Sequence, residues 1–214
     1  MQVLLTFDIE VWCGNWWKDL DARFPSHYVR CVYGEDREHG HALPRTLEIL
    51  ARHELKGVFF VEPLFAARFG VQHLAEIIRL IRGAGQEVQM HLHPEWASEI
   101  DHPRMAGLST KQRRLGAFTL EQQSRMMHFG RDLLAEAGAP APTAFRAGSF
   151  AANADTFAAL RENGILLDFS INAALPASVP DLRDGRDLTR IQRIDGVTSV
   201  PMAIFRDGFG KDRH

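Results

Sequence analysis

Two histidines one residue apart, His91 and His93, close the apolar-alternating run that begins at Glu87 and Val88. Successive side chains of an extended backbone point to opposite sides, so both imidazoles face one way. Pro94 supports the extended reading, because its ring pushes the preceding residue out of the helical region. Two imidazoles aimed at one point suit a borderline transition metal such as zinc, whereas the same pair on a polar strand face would carry none. Carboxylates stand at Asp8 and Glu10, just after the aliphatic run Val3 to Phe7. Arg146 and Asp168 follow short apolar runs later in the chain.

The elements that must position these residues alternate in type. Val3 to Phe7 reads as a buried strand delivering Asp8 and Glu10 at its end. The stretch Val11 to His41 lacks clear periodicity, and a connection that long is usually functional or partly helical. Its Trp12, Trp16, Trp17, Phe24, Tyr28 and Tyr33 either stack on a sugar or pin the segment to the core. Leu43, Leu47, Ile49 and Leu50 fit one face of a helix with Pro44 in its first turn, and Val58 to Val61 reads as a second buried strand. Leu74, Ile77, Ile78 and Ile81 share a helix that Gly83 and Gly85 stop before the histidine strand.

Thr119 and Gln122 form a capping-box pattern opening a helix to about Ala137, whose Met126, Met127, Phe129, Leu133 and Leu134 read as core. Thr143 to Phe145 is a short strand and Arg146 to Phe150 a turn. Asn153 caps a helix over Ala154 to Glu162, and Ile165 to Ser170 is the next strand with its exit. Leu188 to Ile194 and Val197 to Ala203 alternate around Asp195-Gly196, a hairpin signal. Strands alternating with helices predict an α/β fold with a parallel sheet, open or closed into a barrel. In such folds catalytic residues gather at the C-terminal strand ends, where Asp8, Glu10, His91, His93, Arg146 and Asp168 all fall.

At 214 residues, 45% apolar and 24% charged, the composition is that of an ordinary soluble globular protein, and a single domain over residues 1–214 is expected. A net charge of −2 argues against a non-specific nucleic-acid binder and against a polybasic membrane patch. The N-terminus has no basic region followed by a signal-type apolar stretch, and no run approaches the ~18 apolar residues of a membrane span. A cytoplasmic location is therefore expected. Cys13 and Cys31 are read as free thiols of a reducing compartment, where a disulfide is an alternative that a core this large does not need.

These residues, in this order, resemble the polysaccharide deacetylase family, also called the NodB-homology or carbohydrate esterase 4 group. Thr6 to Glu10 looks like its first motif in an Asp-x-Asp/Glu form, Val58 to Val61 like its second strand, and Glu87 to Trp96 sits where its histidine motif sits. Phe145 to Gly148 looks like the third motif and Asp168 to Ser170 like the fourth, so the resemblance runs from about residue 3 to residue 203. His-Leu-His-Pro-Glu-Trp is closest to a branch associated with bacterial surface-polysaccharide (lipopolysaccharide) biosynthesis.

The resemblance implies a distorted (β/α) barrel, complete or not, of about seven parallel strands. It makes Asp8 the catalytic base, Arg146 the residue that holds Asp8 ionised, and Asp168 part of the surrounding support. Glu10, His91 and His93 become ligands of a divalent metal, most simply zinc. The family's two histidines usually have three residues between them, whereas position 95 here is Glu, so His91 pairs either with His93 or with Glu95 across a turn. The family's last motif, a Leu-x-His whose histidine acts as general acid, is not found. Either the domain is cut short before it or the motif is absent, and His214 is a poor substitute.

The implied activity is metal-dependent removal of an N-acetyl group from a sugar. The implied partner is a carbohydrate bearing an N-acyl group, with no nucleic acid, no membrane span and an open oligomeric state. The same centre would also serve hydrolysis of a formamide or cyclic ureide, and a non-catalytic carbohydrate-binding protein would keep the fold without turnover.

Overall fold

The computed structural model describes residues 3–12, 19–34, 38, 40–108, 111–175, 178–183 and 185–213. Contacts divide the chain into two compact units, Met1–His91 with Asp132–Ala141, and Leu92–Arg131 with Pro142–His214.

The first unit is built on three parallel strands, β1 (Leu5–Ile9), β2 (Gly57–Val61) and β3 (Glu87–Leu92). In register, Asp8 lies opposite Phe60, and Val61 opposite Met90. The centre of β2 is a continuous apolar run with Phe59, Phe60 and Val61 fully buried, the pattern of a strand covered on both faces. Four helices accompany these strands: α1 (Leu20–Tyr33), α2 (Leu43–Arg52), α3 (Ala66–Phe69) and α4 (Val71–Gly83). Along α4, Leu74, Ile77, Ile78 and Ile81 are buried at helical spacing, as the sequence predicts.

Three differences from the sequence reading have physical causes. Strand β1 begins at Leu5, where its first partner Gly57 begins β2, so Val3 and Leu4 stay exposed and Asp8 lies inside the strand. On α2, Leu43, Leu47 and Leu50 are buried but Ile49 is exposed, because it lies about 200° round the helix from Leu47. The stretch without evident periodicity holds a 14-residue helix, α1, whose buried Leu20, Phe24, Tyr28 and Val32 recur every fourth residue. Pro25 within it and the mixture of aromatic and aliphatic residues mask that repeat.

Of the described aromatic residues of this segment, Phe24, Tyr28 and Tyr33 serve the core, while Trp12 is half-buried. Phe24 stacks on Phe69 with ring centroids 3.8 Å apart, and the Tyr28 hydroxyl donates to Glu76 at 2.8 Å. Tyr33 donates to the same carboxylate, and all three rings are buried, which leaves no face for a sugar. Trp16 and Trp17 lie outside the described residues.

The second unit carries β4 (Ala144–Ala147), β5 (Leu167–Asp168), β6 (Gln192–Ile194) and β7 (Val197–Ser199). Strands β4, β5 and β7 run parallel, and β6 pairs with β7 antiparallel through the expected hairpin. Asp195 and Gly196 both take positive φ there, as a two-residue primed turn requires. A short separate hairpin joins β8 (Phe205–Arg206) to β9 (Asp212–Arg213). Strand β5 is shorter than the expected Ile165 to Ser170 because only Leu167 and Asp168 find ladder partners on both sides.

Helix α5 (Leu120–Glu136) begins with the predicted capping box: Gln122 N–H donates to Thr119 Oγ1, and Thr119 N–H to Gln122 Oε1. Its Met126, Met127, Phe129, Leu133 and Leu134 are buried, as expected of core residues. Helix α6 (Ala154–Glu162) is capped by Asn153, whose side chain accepts from Thr156 N–H at 3.0 Å. Both units are thus α/β: β1, β2 and β3 are parallel in the first, β4, β5 and β7 in the second, and β6 and the β8–β9 pair are antiparallel. No helix among the described residues is long and apolar enough to cross a membrane.

Candidate metal centre

Strand β3 is buried on both sides, with Val88, Met90 and Leu92 alternating with Gln89 and His91. His93 leaves it in extended conformation, φ −104° and ψ 101°, as the following proline demands. The alternation therefore carries through to His93, and the two imidazoles share a side. Glu10 follows β1, and its Oε2 approaches His91 Nε2 at 3.3 Å. One ligand atom from each of Glu10, His91 and His93 lies within 4.8 Å of the others.

That spacing fits a single cation. Zinc takes imidazole nitrogen and carboxylate oxygen at about 2.0–2.2 Å, so small side-chain adjustments close the set. Two nitrogens and one oxygen are borderline donors, suited to zinc and its first-row neighbours rather than to calcium or magnesium.

Glu95 is fully buried and turns back on His93, placing Oε2 3.2 Å from His93 Nδ1. Its other oxygen, Oε1, is buried and takes no hydrogen bond from any described residue. Gly148, which opens the 3-10 turn Gly148–Phe150, backs the same imidazole: a Cβ there would stand 2.7 Å from ring atoms of His93. Only glycine leaves the ring its seat.

Asp8 is exposed near the end of β1. Arg146 is buried within β4 itself rather than in the turn that the sequence suggested. Its Nε donates to Phe169 O at 3.3 Å, and its guanidinium lies 5.8 Å from the Phe150 ring centre. Asp168 is fully buried, with Oδ1 accepting from Ser170 N–H at 3.1 Å and Oδ2 from the Ser199 hydroxyl at 2.9 Å. Burial pushes its pKa up to about 6, against the hydrogen bonds from Ser170 and Ser199 and the charge of Arg146.

Two buried polar features were passed over in the sequence. Glu62 follows the last residue of β2, fully buried, and accepts from Leu64 N–H at 2.8 Å and Phe65 N–H at 3.3 Å. The signal was there, since an acidic residue directly after a buried strand is the pattern that singled out Asp8 and Glu10. Around Asp168, Ser170, Asn172, Ser178 and Ser199 are all buried and joined by hydrogen bonds to backbone or to one another. Short hydroxyl side chains leave no such mark on a hydropathy pattern.

Cys31 is a free, partly buried thiol whose pKa burial raises, while Cys13 and the terminal His214 lie outside the described residues.

Among solved structures, the chain is similar to a Mycobacterium smegmatis protein provisionally designated a polysaccharide deacetylase. Identity is 21% over 94% of this chain and 58% of that one, with a TM-score of 0.58. It is also similar to a family 4 carbohydrate esterase of Streptomyces lividans solved with acetate, at 18% identity over 79% of this chain and 63% of that one, TM-score 0.47. A third likeness is to a Bacillus anthracis pseudoenzyme of the carbohydrate esterase 4 family, at 17% identity over 76% and 40% of the two chains, TM-score 0.45. The first of these establishes the fold as the polysaccharide deacetylase type of α/β architecture, and this chain spans 58% of that protein's length. No protein-family model matches the chain, and no curated protein does.

Proposed function

We propose that this chain is a metal-dependent hydrolase that removes an N-acetyl group from a sugar during surface-polysaccharide biosynthesis, in the cytoplasm. One observation carries the reading: Glu10 and the two histidines of the β3 exit, far apart in sequence, converge within 4.8 Å. The fold likeness to a protein provisionally designated a polysaccharide deacetylase supports the same class of substrate.

Glu10, His91 and His93 would hold a divalent cation, zinc by donor type. When bound, that cation polarises the amide carbonyl and lowers the pKa of the attacking water. Asp8, exposed near the strand end, accepts the water's proton as general base. By the family resemblance Arg146 would keep that carboxylate ionised, and the charge of Arg146 also acts on buried Asp168. Departure of the amine requires a proton. The Leu-x-His donor of the resembled family is not found within residues 1–214, and without any such donor amide cleavage would be slowed by ~10²–10⁴-fold.

The test is metal analysis of purified protein together with acetate release from N-acetylated oligosaccharides, nucleotide sugars and lipid-linked sugars. Stoichiometric zinc in wild type, its loss in His91→Ala, and acetate release abolished by Asp8→Asn are expected. Protein that binds no divalent metal, or acetate release that survives Asp8→Asn, would overturn the reading.

A further inference from the structure

The geometry points to Glu95 as the positioning residue for the imidazole of His93, holding it so that Nε2 and not Nδ1 meets the cation; this rests on the metal reading above. His93 Nδ1 and Glu95 Oε2 are 3.2 Å apart, and both side chains are almost wholly buried. That distance engages Nδ1 with a carboxyl oxygen, so Nδ1 is the ring nitrogen turned away from a cation. Nε2, on the far edge of the ring, is left as the atom that can meet the cation. Carboxylates placed in this way behind a metal-binding histidine fix its tautomer and orientation and raise its basicity.

Local backbone makes the pairing rigid. Pro94 begins the 3-10 helix Pro94–Glu99, and Trp96 N–H donates to His93 O at 3.2 Å, closing a turn that brings residue 95 back beside residue 93. Buried Trp96 anchors that turn, and the Ser98 hydroxyl donates to Glu95 O at 3.3 Å. Gly148 closes off the ring, leaving no room to swing aside.

Charge supplies the second argument. A fully buried carboxylate with Oε1 taking no hydrogen bond from any described residue is expensive to keep unless a positive charge lies close. A divalent cation held by Glu10, His91 and His93 would supply such a charge close by. Glu95 is thereby explained without being a ligand, and position 95 need not supply the third donor.

The experiment pairs two readouts on the full chain: zinc affinity by chelator competition for wild type, Glu95→Ala, Glu95→Gln and His91→Ala, and ¹⁵N NMR of the His93 ring in zinc-free protein. Glu95→Ala should weaken zinc binding by about 10–100-fold, Glu95→Gln by less because its carbonyl still accepts, and His91→Ala should abolish it. In wild type the His93 hydrogen should sit on Nδ1, and Glu95→Ala should release that preference. Loss of zinc in Glu95→Ala as complete as in His91→Ala would make Glu95 a ligand and overturn the inference. So would an unchanged affinity, or a ring hydrogen found only on Nε2. Wild-type protein with the Nδ1 hydrogen in place but no affinity for zinc would overturn the metal reading itself and reduce Glu95 to bracing the ring.

Discussion

The Ser199 hydroxyl donates to Asp168 Oδ2 at 2.9 Å, across the parallel register that sets these two buried residues opposite each other on β7 and β5. Asp168 nevertheless has its pKa raised from 3.8 to about 6, since burial outweighs the hydrogen bonds and the charge of Arg146. The sign follows from linkage. Between those two values the folded state holds the proton and the unfolded chain does not, so this group favours folding at low pH and costs stability as pH rises through about 6. A rise of about two units corresponds to about 3 kcal/mol. Urea unfolding of wild type and Asp168→Asn from about pH 4 to about pH 7 should show a downward contribution in wild type that the variant lacks. Equal slopes in the two proteins would rule this out.

Gly148→Ala should disturb the histidine seat without touching a proposed ligand. The added Cβ falls 2.7 Å from the His93 ring, closer than real contacts allow, so ring or backbone must shift. Overpacking of this kind costs about 1–3 kcal/mol. The expected result is that loss in urea unfolding together with weaker zinc binding. Unchanged affinity and stability would show that the ring has room to move.

Much of this was legible in residue order. Helices α2, α4, α5 and α6 announce themselves through Leu and Ile spacing and through caps at Thr119 and Asn153, and the Asp195-Gly196 turn specifies its hairpin. His91 and His93 stand out because alternation and Pro94 are local rules, and Glu10 because it ends a strand. What was hidden depends on distant partners. Strand β5 keeps two residues because its neighbours pair with only two, and α1 hides its four-residue repeat among Phe24, Pro25 and Tyr28. The approach of Glu95 to His93 is set by the turn after Pro94, which no spacing rule fixes.

Glu62 should prove structural. Its carboxylate takes the N–H groups of Leu64 and Phe65, which open the turn leading into α3. Glu62→Ala strands both donors in a buried setting, where an unsatisfied group costs about 1–3 kcal/mol. Glu62→Gln keeps one acceptor oxygen and should recover part of the loss. Denaturant unfolding checks the order wild type, Gln, Ala; an alanine variant as stable as wild type would show that those N–H groups find other partners.

Metal removal should reveal the centre through stability, independently of any substrate. A cation bound by the folded chain and not by the unfolded one adds about 2.7 kcal/mol when free metal stands 100-fold above its dissociation constant. Glu10 lies on the first strand's exit and the histidines on the third's, so the ligand set forms only when β1, β2 and β3 have assembled. Chelated wild type should therefore rise in melting temperature on zinc addition. His91→Ala and Glu10→Ala should show no rise whatever their own starting stability, because each variant is compared with itself. Glu121→Gln, at an exposed position on α5, should keep the full increase. A zinc-dependent rise of wild-type size in His91→Ala would place the cation elsewhere on the chain and remove the observation on which the hydrolase reading stands.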